Sequence, residues 1–352
     1  MNTHLSFACD YMEGTHSVIL QKLVETNLEK TGGYGLDPYC DAAKEKIKAA
    51  CCCPDGEVLL LVGGTQTNAT VIDALLKSYQ GVIAAETGHI STHEAGAIEA
   101  GGHKVLTLPH TNGKITAQQI RDLLNGYNSD ANHDHMVMPG MVYISNPTEN
   151  GTIYYKQELE AISHVCHECG MPLFLDGARL GYGLMAADND VTLEDIARLC
   201  DVFYIGGTKV GALFGEAVVI TNPAISKDFR YMIKQRGGML AKGRLLGIQF
   251  QTLFEDGLYW QISRHAIDMA MKLKKAFQAC GYGFYVENST NQKLPVLPDA
   301  VLEKLAGKYS YSFWEKTDES HSAVRFCKSW ATKEENVDAF IAELHQIRSQ
   351  MK

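Results

Sequence analysis

Between residues 58 and 220 the chain alternates short apolar runs with longer stretches whose apolar residues recur at helical spacing. The runs at 58–62, 82–85, 104–108, 141–145, 172–175, 202–205 and 217–220 are nearly free of polar side chains, the pattern of strands buried on both faces. Helical patterns fill the intervals at 68–79, 116–126, 156–169 and 192–199, with Thr116 as an N-cap. This alternation predicts an α/β fold, a mostly parallel seven-stranded sheet covered by helices on both sides. A helical stretch from 244 to 280, interrupted only by Gly247 and Gly257, predicts a connector into a small α+β unit with a strand at 323–327 and a last helix at 333–349. Residues 11–30 read as a helix without an obvious partner in its own unit. The expected organisation is an N-terminal arm over 1–30, a large α/β domain over 31–245, and a connector helix with a small C-terminal domain over 246–352.

Three of the apolar runs end in residues that carry chemistry. The run at 202–205 stops at Gly206-Gly207 and presents Thr208-Lys209 among small residues. A lysine at the end of a parallel strand, in a loop too small to shield it, suits a Schiff-base nucleophile; the plainer reading is a surface lysine on a turn. The run at 173–175 stops at Asp176, followed by Gly177-Ala178-Arg179. A carboxylate at that edge points into the crevice where open α/β sheets bind ligands, or else it caps the next turn and pairs with Arg179. The run at 59–62 leads through Gly63-Gly64-Thr65 into a helical pattern, and a helix N-terminus behind a glycine turn is an anion site. The turn matches neither the Walker A loop nor the dinucleotide fingerprint. In this order, a phosphate cradle, an aspartate able to keep a pyridine nitrogen protonated and a lysine able to form a Schiff base are the components of a pyridoxal 5′-phosphate (PLP) enzyme.

The chain resembles the threonine aldolases, within the aspartate-aminotransferase-like (fold type I) class of PLP enzymes that also holds the β-eliminating lyases. The resemblance runs over nearly the whole length. It is carried by Tyr34-Gly35-x-Asp37, Gly63-Gly64-Thr65-x-x-Asn68, Glu86-Thr87-Gly88-His89-Ile90, Asn146-Pro147-Thr148, Asp176-Gly177-Ala178-Arg179-Leu180, Thr208-Lys209-Val210-Gly211-Ala212 and Val324-Arg325-Phe326. It implies that Lys209 forms the Schiff base, Asp176 binds the ring nitrogen, and Gly64, Thr65 and Thr208 hold the phosphate. His89 would stack on the cofactor ring and take the β-hydroxyl proton, directly or through water. Arg179 would lie near the cofactor hydroxyl and the substrate carboxylate, and Arg325 would clamp that carboxylate. Tyr34 and Cys9 are further matches on the substrate side. A second active-site histidine would be His133 or His135, although solvated side chains are the plainer reading of their polar loop. Two stretches depart from the family's pattern. Ala8-Cys9-Asp10-Tyr11 stands where Arg-Ser-Asp-Thr is common, and Thr208-Lys209-Val210-Gly211-Ala212 where Ser-Lys-Gly-Leu-Gly is usual. The first removes a serine hydroxyl from the carboxylate end.

The implied reaction is cleavage of L-threonine or L-allo-threonine to glycine and an aldehyde by a PLP-dependent lyase of low specificity. A β-eliminating lyase, an aminotransferase or a non-catalytic PLP-binding protein are the alternatives. The resemblance also implies a homodimer or homotetramer with active sites at subunit interfaces. A net charge of −9 argues against nucleic-acid binding, which needs clustered positive charge. No apolar run approaches a membrane span, and the polar start Met1-Asn2-Thr3-His4 lacks a signal-peptide pattern. With ten cysteines, this places the protein in the cytoplasm with reduced thiols. No metal site is expected. Cys51-Cys52-Cys53 are adjacent, and His164, Cys166, His167 and Cys169 lie on one helix, where they point in different directions.

Overall fold

Seven strands form the central sheet of the computed structural model, which describes residues 4–225 and 227–351. In chain order they are β1 (Glu57–Leu61), β2 (Gln80–Ala85), β3 (Val105–Leu108), β4 (Met138–Ser145), β5 (Leu173–Asp176), β6 (Val202–Gly206) and β7 (Glu216–Ile220). The order across the sheet is β1-β7-β6-β5-β4-β2-β3, and only β7 runs antiparallel to its neighbours. All seven apolar runs are therefore strands, in a mostly parallel α/β sheet. Successive residues feed two different cores, as the period of two requires. Tyr143, Phe174, Val202 and Tyr204 pack on one face with Val71 and Ile72 of helix α3 (Gly64–Leu75). Val142, Leu173, Leu175, Phe203 and Ile205 pack on the other with Leu159, Ile162 and Val165.

Crossover helices carry their own start signals. Helix Ala117–Ser129 opens on a capping box, with the Thr116 hydroxyl accepting Gln119 N–H at 3.2 Å and Gln119 Oε1 accepting Thr116 N–H at 2.8 Å. Helix Lys156–Glu168 turns Cys166 into the core, while His164 pairs with Glu168 at 3.1 Å and His167 with Asp201 at 3.4 Å, so the metal-like quartet diverges.

Two helical expectations need correction. The 11–30 segment is helical only over Ser17–Glu25, started by a hydrogen bond from Val18 N–H to His16. Before it the chain runs extended. Leu5–Ser6 pairs with Tyr309–Ser310, Phe7 enters the C-terminal core, and His16 N–H reaches Gly211 O. The helix also has a partner, since Ile19 is buried in the main core and Lys22 pairs with Glu255. The 244–280 stretch is two helices, Arg244–Leu253 and Leu258–Ala279, separated at Gly257, which has φ +71°. Gly247 does not interrupt the first. It lets Pro38–Ala50 approach, because a Cβ there would lie 2.4 Å from Cys40 N. C-terminal to these helices, Val296–Pro298, Ser312–Lys316 and His321–Cys327 form an antiparallel sheet backed by Glu334–Gln350 around Phe277, Phe326 and Phe340. Of the expected arm and small domain, residues 1–3 and 352 lie outside the described residues.

Candidate active site

β5, β6 and the turn before α3 converge at one edge of the sheet. Two glycines allow the approach. A Cβ on Gly177 would sit 1.9 Å from Tyr204 O, and one on Gly206 would sit 2.3 Å from Ala178 O. With both bare, Gly206 N–H bonds to Gly177 O at 2.9 Å and the two strand ends lie side by side. The Asp-Gly and Ile-Gly steps of the sequence thus bring Asp176 and Lys209 to one cavity of about 280 Å³. Gly63, Gly64, Thr65, His89, Asp176, Thr208 and Lys209 all line it.

Asp176 is buried against the cavity wall and accepts four hydrogen bonds. Its Oδ2 accepts Tyr143 O–H at 2.6 Å and Asn68 Nδ2 at 3.0 Å; its Oδ1 accepts Tyr204 O–H at 2.6 Å and Ala178 N–H at 3.0 Å. Burial alone would raise its pKa, but these four donors, Tyr143 foremost, hold it below the ordinary aspartate value. The same Asn68 amide donates to Glu94 Oε1 at 2.7 Å, and that oxygen also meets His89 Nδ1 at 2.7 Å. A hydrogen-bonded chain therefore runs from Asp176 through Asn68 and Glu94 to His89. With Nδ1 committed to Glu94, Nε2 is the nitrogen His89 has free for chemistry. Burial disfavours the imidazolium of His89, but the Glu94 hydrogen bond and the nearby Glu149 and Asp176 outweigh it and raise the pKa.

Lys209 sits one residue past Thr208, whose hydroxyl accepts Gly215 N–H at 3.0 Å. Among the described residues its Nζ has no hydrogen bond or ion pair; the ring of Tyr11 lies 6.0 Å away. The loop is pinned from behind, with Tyr182 O–H donating to Lys209 O at 2.6 Å and Thr15 O–H to Gly211 O at 2.7 Å. On the same cavity, Gly63 and Gly64 precede and open α3, whose first N–H groups have no intrahelical partner. Side-chain space is short there, since a Cβ on Gly64 would come 3.3 Å from the Tyr204 hydroxyl. A caged carboxylate, an unpaired lysine amine and a bare helix N-terminus around one cavity fit PLP by ring nitrogen, aldehyde and phosphate respectively.

The remaining predicted residues are placed less directly. Arg179 is buried and held bidentate by Asp10, Nε to Oδ2 at 2.7 Å and Nη2 to Oδ1 at 3.0 Å, with Glu149 3.9 Å from Nη1. It borders the cavity through Glu149. Arg325 and Cys9 stand near Tyr11, with the Arg325 guanidinium 5.8 Å from the Trp314 ring. Tyr34, at φ +60°, is not brought to this cavity. It lies on an outer surface beside Arg230 and Lys234, whose Nζ is 4.7 Å from its ring. His133 and His135 are exposed on a 3₁₀ turn, away from the cavity, as solvated histidines would be.

Sequence reading missed Tyr143, Tyr204, Glu94, Glu149, Glu216 and Tyr11. The two tyrosines did leave a signal, each being a hydroxyl inside an apolar strand, and a buried hydroxyl needs a partner. Glu94 and Glu149 left none, because which carboxylate faces a cavity depends on how loops fold back.

Comparison with known proteins agrees with this geometry. A family model described as beta-eliminating lyase matches residues 8–300. The low specificity L-threonine aldolase of a Pseudomonas species is 30% identical over 97% of this chain and 98% of its own length, and that of Pseudomonas aeruginosa is 30% identical over 97% of both chains. The solved structure of Leishmania major threonine aldolase is 44% identical, with a TM-score of 0.95 over 98% of this chain and 99% of that one. Thermus thermophilus aspartate aminotransferase, at 14% identity, superposes with a TM-score of 0.72 over 98% of this chain and 92% of its own, and shares the fold. The chain belongs to the beta-eliminating lyase family, as a PLP-dependent lyase with the aspartate-aminotransferase-like fold.

Proposed function

We propose that this protein cleaves L-threonine and L-allo-threonine between Cα and Cβ, releasing glycine and acetaldehyde, and that Lys209, Asp176 and His89 carry the reaction. The observation behind this is the connected set Asp176–Asn68–Glu94–His89, which puts a secured anion and a histidine with one free nitrogen around the cavity of an unpaired lysine. PLP, when bound, supplies the sink for the electron pair released from the Cα–Cβ bond. Asp176 would hold the ring nitrogen and keep its proton, and Lys209 would hold the aldehyde end. The first N–H groups of α3 with the Thr65 and Thr208 hydroxyls hold the phosphate. Arg325 binds the substrate carboxylate, and Cys9 and Arg179 border that end. His89 Nε2 takes the β-hydroxyl proton, which is the step that distinguishes aldol cleavage from elimination.

Acetaldehyde release from each substrate, read through an alcohol dehydrogenase couple, tests the reaction. Release from either one establishes the cleavage, and the ratio of rates gives the preference at Cβ. Silence from both, with pyruvate and ammonia formed from β-substituted amino acids, would replace it with elimination. Lys209→Ala is expected to abolish turnover and the Schiff-base absorbance together, and full activity in that variant would refute the scheme.

A homo-oligomer is part of the proposal. Leu36 and Tyr231, beside Tyr34, are 65% and 76% exposed, and Val24 and Leu28 of the N-terminal arm are 68% and 91% exposed, apolar surface that a second copy would cover. Such pairing is how Tyr34 would serve a cavity other than its own. Cytoplasmic residence is proposed from the ten cysteines, all thiols here, several of them buried. No helix among the described residues is long and apolar enough to cross a membrane.

A further inference from the structure

Glu216 opens β7, the strand that runs against its neighbours, and lies opposite Gly206 in the register with β6. Its side chain is buried, yet it lines the same cavity as Gly64, Thr65, Thr208 and Lys209. Oε2 accepts Gly207 N–H at 3.1 Å. No role in the cleavage falls to this carboxyl, which leaves its charge to be explained.

The groups facing it are mixed. The Thr208 hydroxyl, the Lys209 amine and the Gly207 N–H favour its anion, while Asp176 opposes it, and Tyr204 and Tyr259 face it as neutral phenols. Burial is the largest influence and pushes the carboxyl up to about 8. This is also the corner where the α3 N-terminus and two hydroxyls collect negative charge. A phosphate dianion held there would be repelled by an ionised carboxylate, in surroundings too dry to screen the pair. A neutral carboxyl would instead offer an O–H donor.

We propose that Glu216 acts as a neutral carboxylic acid beside the phosphate, so that binding of the cofactor phosphate requires a proton on this side chain. The proposal rests on the placement of PLP in this cavity. Thr65 and Thr208 then supply permanent donors, and Glu216 a donor that is lost as pH rises. Cofactor retention becomes proton-dependent in a way that has nothing to do with the Schiff base.

The test uses apoenzyme and pyridoxine 5′-phosphate, which carries the phosphate but no aldehyde and cannot bond to Lys209. Affinity is measured by quenching of protein fluorescence from about pH 7 to about pH 9.5. The native protein is expected to weaken by close to tenfold per pH unit above about 8, the slope of a one-proton requirement. Glu216→Gln keeps an N–H donor without a charge. It should match the native protein within about twofold near pH 7 and bind roughly thirtyfold tighter at about pH 9.5. Any pH dependence due to Lys209 is common to both proteins. Parallel curves, or weaker binding by the variant at every pH, would overturn the role of Glu216 while leaving the cofactor site in place. Failure of the native protein to bind the probe at any pH would overturn the site and the proposal together. If the variant does not fold, calorimetry of Lys209→Arg apoenzyme, which keeps the positive charge beside Glu216, reads the same event in buffers of different ionisation enthalpy. Uptake of close to one proton per bound probe near pH 9 is expected, and no uptake refutes it.

Discussion

Arg325 has a buried Nε without a partner among the described residues, and its Nη1 meets Gln292 Oε1 only at 3.4 Å. A guanidinium so lightly engaged is available to a carboxylate, unlike Arg179, which Asp10 already holds. Arg325→Ala is therefore expected to raise KM for threonine about ten- to hundredfold, the loss of one charge-assisted pair, with a smaller effect on kcat. Steady-state kinetics check this, and an unchanged KM would move the clamp elsewhere. Glu94 makes a second residue-scale prediction. It favours the imidazolium of His89, so the acid limb of the rate profile should lie above the ordinary histidine range, and Glu94→Gln should move it to lower pH. A merely structural Glu94 would lower the rate and leave the limb in place. Lys328 is a cost rather than a tool. It is fully buried with Nζ over the Phe7 ring at 3.3 Å and, among the described residues, no hydrogen-bond partner, and burial pushes its pKa well below the ordinary lysine value. The unfolded chain takes up a proton as pH falls below that ordinary value, and the folded chain does not until its own lower pKa. Stability is thus lost progressively as pH falls through this window. Lys328→Met should flatten that dependence and stabilise the fold at neutral pH by roughly 1–3 kcal/mol, measured by denaturant unfolding at two pH values.

Elements determine how closely the chemistry converges. Gly177 was legible as part of a motif, but its reason is steric. Because a side chain would collide with the Tyr204 carbonyl, Gly177→Ala must part the ends of β5 and β6. The expected result is destabilisation of about 1–3 kcal/mol or more, with weakened PLP retention, since Asp176 and Lys209 hang from those two ends. Spectral titration of the cofactor separates this from a loss of stability alone. The seven strands could be read because burial on both faces leaves an unbroken apolar run. Over 11–30 the helix was overestimated. The pairing of Leu5–Ser6 and the Gly211 carbonyl draw the chain extended up to His16, and local propensity contains no trace of such distant partners.

Across the whole molecule the N-terminal arm ties the two cores together. Asp10 pairs with Arg179 of the large unit and accepts Asn291 Nδ2 at 2.9 Å from the C-terminal unit. Breaking such a buried pair by Asp10→Asn should cost about 3–5 kcal/mol, seen as a lowered unfolding midpoint. Burial raises the pKa of Asp10, but Arg179 and Lys209 hold it far below the ordinary aspartate value. The stability it contributes is therefore fully present above that ordinary value and is lost only as pH falls towards the folded one. The apolar face around Tyr34 makes the other prediction at this scale. Leu28→Asp combined with Leu36→Asp should shift the protein towards monomer in light scattering, and an unchanged mass would place the interface elsewhere.

Strand count, sheet type and the glycine turn were legible in the sequence alone, because each rests on a local rule of periodicity, backbone freedom or burial along a few consecutive residues. Lys209 and Asp176 stood out by their places at the ends of apolar runs and by the order of the three motifs. Tertiary structure alone decided that Arg179 is spent on Asp10, that Glu94 rather than any nearer residue meets His89, that Tyr34 lies away from the Lys209 cavity, and that Glu216 lines it. Each of these depends on which distant side chains share a dry space, where one hydrogen bond or one charge sets the protonation of its neighbour, and no linear pattern encodes that adjacency.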